Sequence, residues 1–228
     1  FQDGDVPVTQ ERLTKSPRAE DVAKVAIRHI GRVRDPIVSF GQGCEGEPLT
    51  KAGLLLDIVG KIRSSTTQGT VNLNTNASKP DEIDKLADAG LDSIRVSLNS
   101  AVEESYNAYY RPVGYSFSDV LESISRMKAA GKFVSLNLLV FPGTTDRRTE
   151  MEALEALIDK FSIDMIQWRN LNIDPTVYSN VIGYSSQNAP ITGMLQMVEH
   201  FRTRFPELKH GYFNPYLGSG VGSDQNER

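Results

Sequence analysis

The densest chemistry in the sequence lies in residues 41–48, Gly-Gln-Gly-Cys-Glu-Gly-Glu-Pro. Three glycines let backbone amides and carbonyls come close to a ligand, Glu47 supplies a carboxylate, and Pro48 fixes the way out of the loop. A carboxylate in that setting suits an ammonium group better than a phosphate. Polar side chains recur along the chain at Asn74-Thr75-Asn76, Ser97 with Asn99, Ser135 with Asn137, and Arg169, Asn170 and Asn172. Each group alone is what a strand end or turn needs, since Asn and Ser bond readily to nearby backbone. Their agreement favours a shared polar ligand pocket. One enzymatic reading makes Glu47 a base, with Asn74 and Asn137 as hydrogen-bond donors, in a lyase or isomerase.

Other chemistries find less support. The single cysteine, Cys44, excludes a disulfide framework and any multi-cysteine metal site within these residues, and reads as a small buried residue of a tight loop. His29, His200 and His210 show no metal-ligand spacing and no nucleophile partner, so surface roles are expected. The run Gly218-Ser-Gly-Val-Gly222 has the glycines of a phosphate loop, but no strand precedes it and no helix follows. Trp168 beside Arg169 reads as pocket lining or as packing with a cation nearby, and Tyr106, Tyr109 and Tyr110 read as helix packing. The net charge of −4 argues against a dedicated nucleic-acid or anionic-membrane binder. No apolar run is long enough to span a bilayer, and no signal peptide is recognised.

The elements that must position these groups repeat one pattern. With 39% hydrophobic and 24% charged residues, the chain can bury a sizeable core. Ser16-Pro17 opens a helix with Val22, Ala26, Ile27 and Ile30 inward, and Thr50 caps a second carrying Leu54, Leu55, Ile58, Val59 and Ile62. Ser78 to Asp81 starts a third, and Thr149 to Glu152 reads as a capping box for a later one. Between them, strands are expected at 36–40, 70–75, 93–98, 133–141 and 164–172. They read as apolar runs rather than clean alternations, which points to a parallel sheet covered by helices. Strand and helix alternate, so right-handed crossovers and a barrel or part-barrel are expected, with an open doubly wound sheet as the alternative. In a barrel the polar strand ends all face one mouth. Residues 1–175 form this core. Residues 176–228 add a helix over 191–204 and a loose polar tail to the same domain.

Gly46-Glu47-Pro48-Leu49, then Leu73-Asn-Thr-Asn76, then Ala89-Gly90-Leu91-Asp-Ser-Ile-Arg-Val-Ser97-Leu-Asn99 resemble the radical S-adenosylmethionine (SAM) superfamily. Its patterns are a GGEP loop, a TTNG-like strand end and a GL-x-x-i-x-VSLD strand, in that order, and the likeness runs from about Pro36 to Asn172. The resemblance implies a partial (β/α)6 barrel of the TIM type. It implies SAM and a [4Fe–4S] cluster, which together generate a 5′-deoxyadenosyl radical that abstracts hydrogen from a small-molecule or peptide substrate. Gly46 and Glu47 would hold the SAM ammonium, Ser97 the ribose region, and Leu171 the adenine. Asn74, Ser135 and Asn137 would face SAM or substrate.

Two departures stand out. Glu45 replaces the first glycine of GGEP, and the CxxxCxxC motif that ligates the cluster is absent. The chain begins at Phe1. The expectation is therefore a fragment of a cytoplasmic enzyme whose first strand and cluster loop lie upstream, inactive by itself. The alternative is a degenerate barrel that binds a nucleotide or protein without redox chemistry.

Overall fold

The computed structural model describes residues 15–41, 46–183 and 190–218. Six strands form one sheet in sequential order, every neighbouring pair parallel: β1 (Ile37–Phe40), β2 (Thr70–Thr75), β3 (Ser93–Leu98), β4 (Phe133–Val140), β5 (Met165–Asn170) and β6 (Lys209–Gly211). Eight helices connect or cover them: α1 (Ala19–Ile30), α2 (Ala52–Ser65), α3 (Pro80–Asp88), α4 (Glu103–Tyr110), α5 (Phe117–Ala129), α6 (Arg148–Phe161), α7 (Pro175–Val181) and α8 (Met194–Arg204). The architecture is the expected α/β part-barrel. The sheet is not closed, and among the described residues β1 has a strand on one side only. A groove of about 630 Å³ runs along that free edge, between α1 and β1, with Val25 exposed above it.

The strands do alternate, contrary to the sequence reading. In β2 to β4, Val71, Leu73, Ile94, Val96, Leu98, Val134, Leu136 and Leu138 are buried in one core shared with the helices. Residues between them carry polar groups: Asn72, Asn74, Ser93, Arg95, Ser97, Ser135 and Asn137. The outer face of the sheet is covered by helices and the concave face is a polar bore, so each strand must satisfy two environments with a period of two. Each fully buried aliphatic side chain on the helix side contributes about 1.5–3 kcal/mol.

Two similar staples hold the lower rim. Asp92, just before β3, accepts from Val71 N at 2.7 Å and pairs with Arg63, which also donates to Gly90 O at 2.9 Å. Asp164, just before β5, accepts from Val134 N at 2.7 Å and from Lys128 Nζ at 2.7 Å. Helix starts differ from expectation. Arg147, not Thr149, is the N-cap of α6, and its side chain makes no cap bond. Thr50 lies in a short 3-10 turn over Pro48–Lys51 and donates to Glu47 O, so it does not cap α2. The capping box belongs to Ser116 and Asp119, at the start of α5.

Candidate functional site

Glu47 leaves the loop after β1 in extended conformation, following Gly46 at φ 85°. Its Oε1 accepts from Leu49 N at 2.9 Å and from the Thr75 hydroxyl at 2.6 Å, while Oε2 accepts from Asn76 N at 2.7 Å. The carboxylate therefore binds the loop after β1 to the end of β2. An ionised carboxylate offers about four lone-pair sites, so one acceptor site remains on Oε2. Asn74 makes the second tie, donating to Gly41 O at 2.6 Å. Gly41 has φ 82°, and a Cβ there would stand 2.2 Å from Asn74 O. Only glycine lets the two backbones approach this closely. Gln42, Gly43, Cys44 and Glu45 lie outside the described residues.

The remaining expected residues spread over the bore at different depths. Ser97 and Asn137 are register partners, each fifth in its strand, and Asn137 pairs onward with Gln167. Asn137 Oδ1 is shut from solvent without a hydrogen-bond partner among the described residues. Ser135 sits lower than a strand end: it is third in β4, buried, with its hydroxyl donating to Ile94 O at 3.4 Å. Leu171 follows β5, and its amide donates to Val140 O at 3.1 Å. Asn99 supports α4 and α7, donating to Ser105 O at 3.0 Å and to the Tyr178 hydroxyl at 3.4 Å.

A polar network crosses the bore from β3 to β1, and sequence reading missed most of it. Arg95 donates to Gln167 Oε1 at 3.1 Å, and Gln167 donates to Asn214 Oδ1 at 3.3 Å. Asn214 donates to Ser39 Oγ at 3.0 Å and Asn74 Oδ1 at 3.3 Å, and Asn72 donates to both of these at 2.8 and 2.9 Å. The segment after β6 thus runs back over the concave face, and Leu217 N reaches Thr70 Oγ1 at 2.7 Å. Strand alternation could have exposed Arg95 and Gln167. Nothing local marks Asn214.

Trp168 is packing and lines no part of the bore. Its ring lies against Phe201, 5.8 Å between centroids, and its Nε1 donates to His210 Nδ1 at 2.9 Å. Arg169 instead sits 4.4 Å over the Tyr212 ring. The surface role expected for His210 is therefore wrong, because β6 turns its ring onto Trp168. Burial first, and the Arg202 charge second, hold its pKa below the ordinary value of 6.5. His29 is exposed, and His200 bonds Glu155 at 2.7 Å on the surface.

Sequential parallel strands, a polar bore and a glycine-bearing loop tied by Glu47 to the next strand end define an open α/β part-barrel with a polar concave face. The chain matches the radical SAM superfamily over residues 5–155 and belongs to that family. It is 25% identical over 138 residues to the FeMo cofactor biosynthesis protein NifB of Klebsiella pneumoniae, a match covering 54% of this chain and 30% of that protein. Its fold resembles SuiB of Streptococcus suis bound to S-adenosylmethionine, with TM-score 0.59 and 15% identity over 90% of this chain and 45% of SuiB. It also resembles a domain of pyruvate-formate lyase-activating enzyme from Bacteroides vulgatus, with TM-score 0.55 and 11% identity over 76% of this chain and 98% of that domain. The chain spans less than a third of NifB and under half of SuiB.

Members of the family use SAM and a [4Fe–4S] cluster. Glu47 keeps one carboxylate acceptor site at the mouth, of the kind an ammonium group needs, and Asn137 Oδ1 within the bore has no partner among the described residues. The residues present do not fit the cluster. The sequence has one cysteine, and no group of three or more His, Cys, Asp or Glu among the described residues could hold a metal.

Proposed function

We propose that this chain is the SAM-binding barrel of a radical SAM enzyme, with the cluster ligands not among its residues. The observation that carries this is the double tie between the loop after β1 and the end of β2, through Glu47 and through Asn74 with Gly41. It fixes a carboxylate and close-packed backbone at the mouth. Glu47 Oε2 accepts one N–H of the SAM ammonium there, Asn137 Oδ1 accepts from the ligand across the bore, and Ser97 lies beside it for the ribose hydroxyls. The family's chemistry, reductive cleavage of SAM at a [4Fe–4S] cluster, would need cluster ligands other than the residues of this chain, whose own groups would hold the SAM. This chain's part is to bind and orient SAM over the bore and to receive the substrate within it.

The substrate is a small molecule or a peptide. A fold neighbour, SuiB, binds the precursor peptide SuiA, which supports keeping peptides in view. No helix among the described residues is long and apolar enough to cross a membrane. A reducing, cytoplasmic setting suits a cluster-dependent partner chemistry. The lone cysteine favours one second reading, a barrel that keeps ligand binding and has lost redox chemistry. The test is 5′-deoxyadenosine production by the full-length protein after anaerobic reconstitution and reduction. Deoxyadenosine released from SAM supports the enzyme, and tight SAM binding without it supports the second reading.

A further inference from the structure

Ser123 is the only polar residue on the buried face of α5, beside Phe117, Val120, Ile124 and Met127 in the core. A serine inside a helix commonly bonds back to the carbonyl four residues earlier. Ser123 instead donates to Ala77 O at 2.7 Å, on the segment that leaves β2, and this is its side chain's single hydrogen bond among the described residues. Ala77 is also fully buried, and its φ of 55° lies in the left-handed region that a residue with a Cβ avoids. Its amide donates to Thr75 Oγ1 at 2.9 Å, and that hydroxyl gives its one hydrogen to Glu47 Oε1 at 2.6 Å. Asn76 N, between the two, donates to Oε2 at 2.7 Å. Two of the three donors on the carboxylate therefore come from a turn whose end is fixed by Ser123. Glycine would take this φ without strain, whereas alanine keeps it only where its surroundings enforce it. Bonds at both ends of Ala77 do so: Thr75 at the amide and Ser123 at the carbonyl. Without Ser123 a buried carbonyl lacks a donor, and Ala77 gains by relaxing toward negative φ, which turns its N–H away from Thr75.

We propose that Ser123 is a positioning residue for ligand binding at Glu47. Acting through Ala77, Thr75 and Asn76, it fixes the carboxylate so that the one unused acceptor site, on Oε2, serves the ammonium of SAM. This rests on the reading that the mouth holds SAM. Ser123 itself lies among apolar residues on the helix side of the sheet, so its effect on a ligand passes through the turn.

The test titrates SAM and 5′-methylthioadenosine separately into the full-length protein by calorimetry. Methylthioadenosine keeps the nucleoside and the sulfur but has no ammonium for Glu47 to hold. Ser123→Ala should weaken SAM by about three- to tenfold and leave methylthioadenosine within about twofold, whereas a general loosening of the fold weakens both. Adding Ala77→Gly to Ser123→Ala should bring SAM affinity back to within about twofold of the parent, because glycine holds φ 55° unaided. Hydrogen exchange at the Asn76 amide reads the clamp with no ligand present: faster in Ser123→Ala, and as slow as the parent in the double variant. Should Ser123→Ala fail to fold, Ser123→Cys keeps a similar volume and a weak donor, and should show a smaller loss in the same direction. Equal weakening of both ligands overturns the positioning role, as does a double variant as weak as the single one. Parent-like SAM affinity and Asn76 exchange in the Ser123 variant overturn it too. Asn76 exchange that follows Ser123 in a protein that binds no SAM supports the clamp and overturns the proposed function instead.

Discussion

Glu47 carries three donors on its two oxygens, so its substitution acts on the loop as well as on a ligand. Glu47→Gln replaces one acceptor oxygen with an amide NH2 group that meets another donor. The expected cost is on the order of 1–3 kcal/mol of stability, read as a lower midpoint in urea unfolding. SAM affinity should drop roughly ten- to hundredfold as the charge-assisted bond is lost. Gly41→Ala tests the same corner without touching charge. Its positive φ and the 2.2 Å approach of Cβ to Asn74 O force the backbone apart, and SAM affinity should again fall at least about tenfold. Normal SAM binding in a folded Gly41→Ala protein would show that this close approach is irrelevant to the ligand.

At the scale of elements, the staples before β3 and β5 hold strands by one carboxylate each. Asp164→Ala leaves Val134 N–H without its acceptor and Lys128 without its partner, so about 1–3 kcal/mol of stability should disappear. Unfolding equilibrium measures it directly, and an unchanged midpoint removes the staple from the account. The β5–β6 contact should depend on pH. His210 accepts from Trp168 through a neutral ring, and its folded pKa is depressed. Below pH 6.5 the unfolded chain takes up the proton first, so this contribution is complete above 6.5 and declines as pH falls through that value. Trp168 is the single tryptophan, so its fluorescence reports the contact. His210→Asn keeps an acceptor that does not titrate and should flatten the decline. An equal decline in that variant would place the titrating group elsewhere.

How far these elements could be read beforehand differs by their local signals. The five strands from β1 to β5 stand within one or two residues of expectation, because Gly31, Gly90 and Gly131 end the preceding helices and the apolar positions mark the runs between. Strand β6 is three residues long with a charged Lys209, and only pairing with β5 makes it a strand. The capping box was expected at Thr149 because the sequence pattern fits, yet the helix there starts earlier, at Arg148. At the candidate site, the glycines and the carboxylate mark the Glu47 loop in the sequence, and Asn74 stands out only as one of the polar residues that recur at strand ends. Arg95 was not singled out because β3 was taken for an apolar run, which hid the alternation Ser93, Arg95, Ser97. Asn214 joins Ser39 across 175 positions of sequence, and no local pattern encodes that contact.

Taken as a whole molecule, the chain is an open part-barrel that belongs to the radical SAM superfamily and contains one cysteine. A lone thiolate cannot complete a [4Fe–4S] ligand set. The 228-residue chain treated with iron and sulfide under anaerobic conditions should therefore retain no charge-transfer absorbance after desalting. A stoichiometric cluster on this chain would overturn that assignment. The central claim is that the mouth joined by Glu47 binds SAM, and the most direct measurement is calorimetric titration of SAM into the full-length protein. The parent and Glu47→Gln are compared, with exposed Lys24→Ala on α1 as a control. The account predicts saturable binding by the parent and the control, and a ten- to hundredfold weaker constant for Glu47→Gln, about 1.4–2.7 kcal/mol. A parent that does not bind SAM, or a folded Glu47→Gln protein that binds it equally well, contradicts the account.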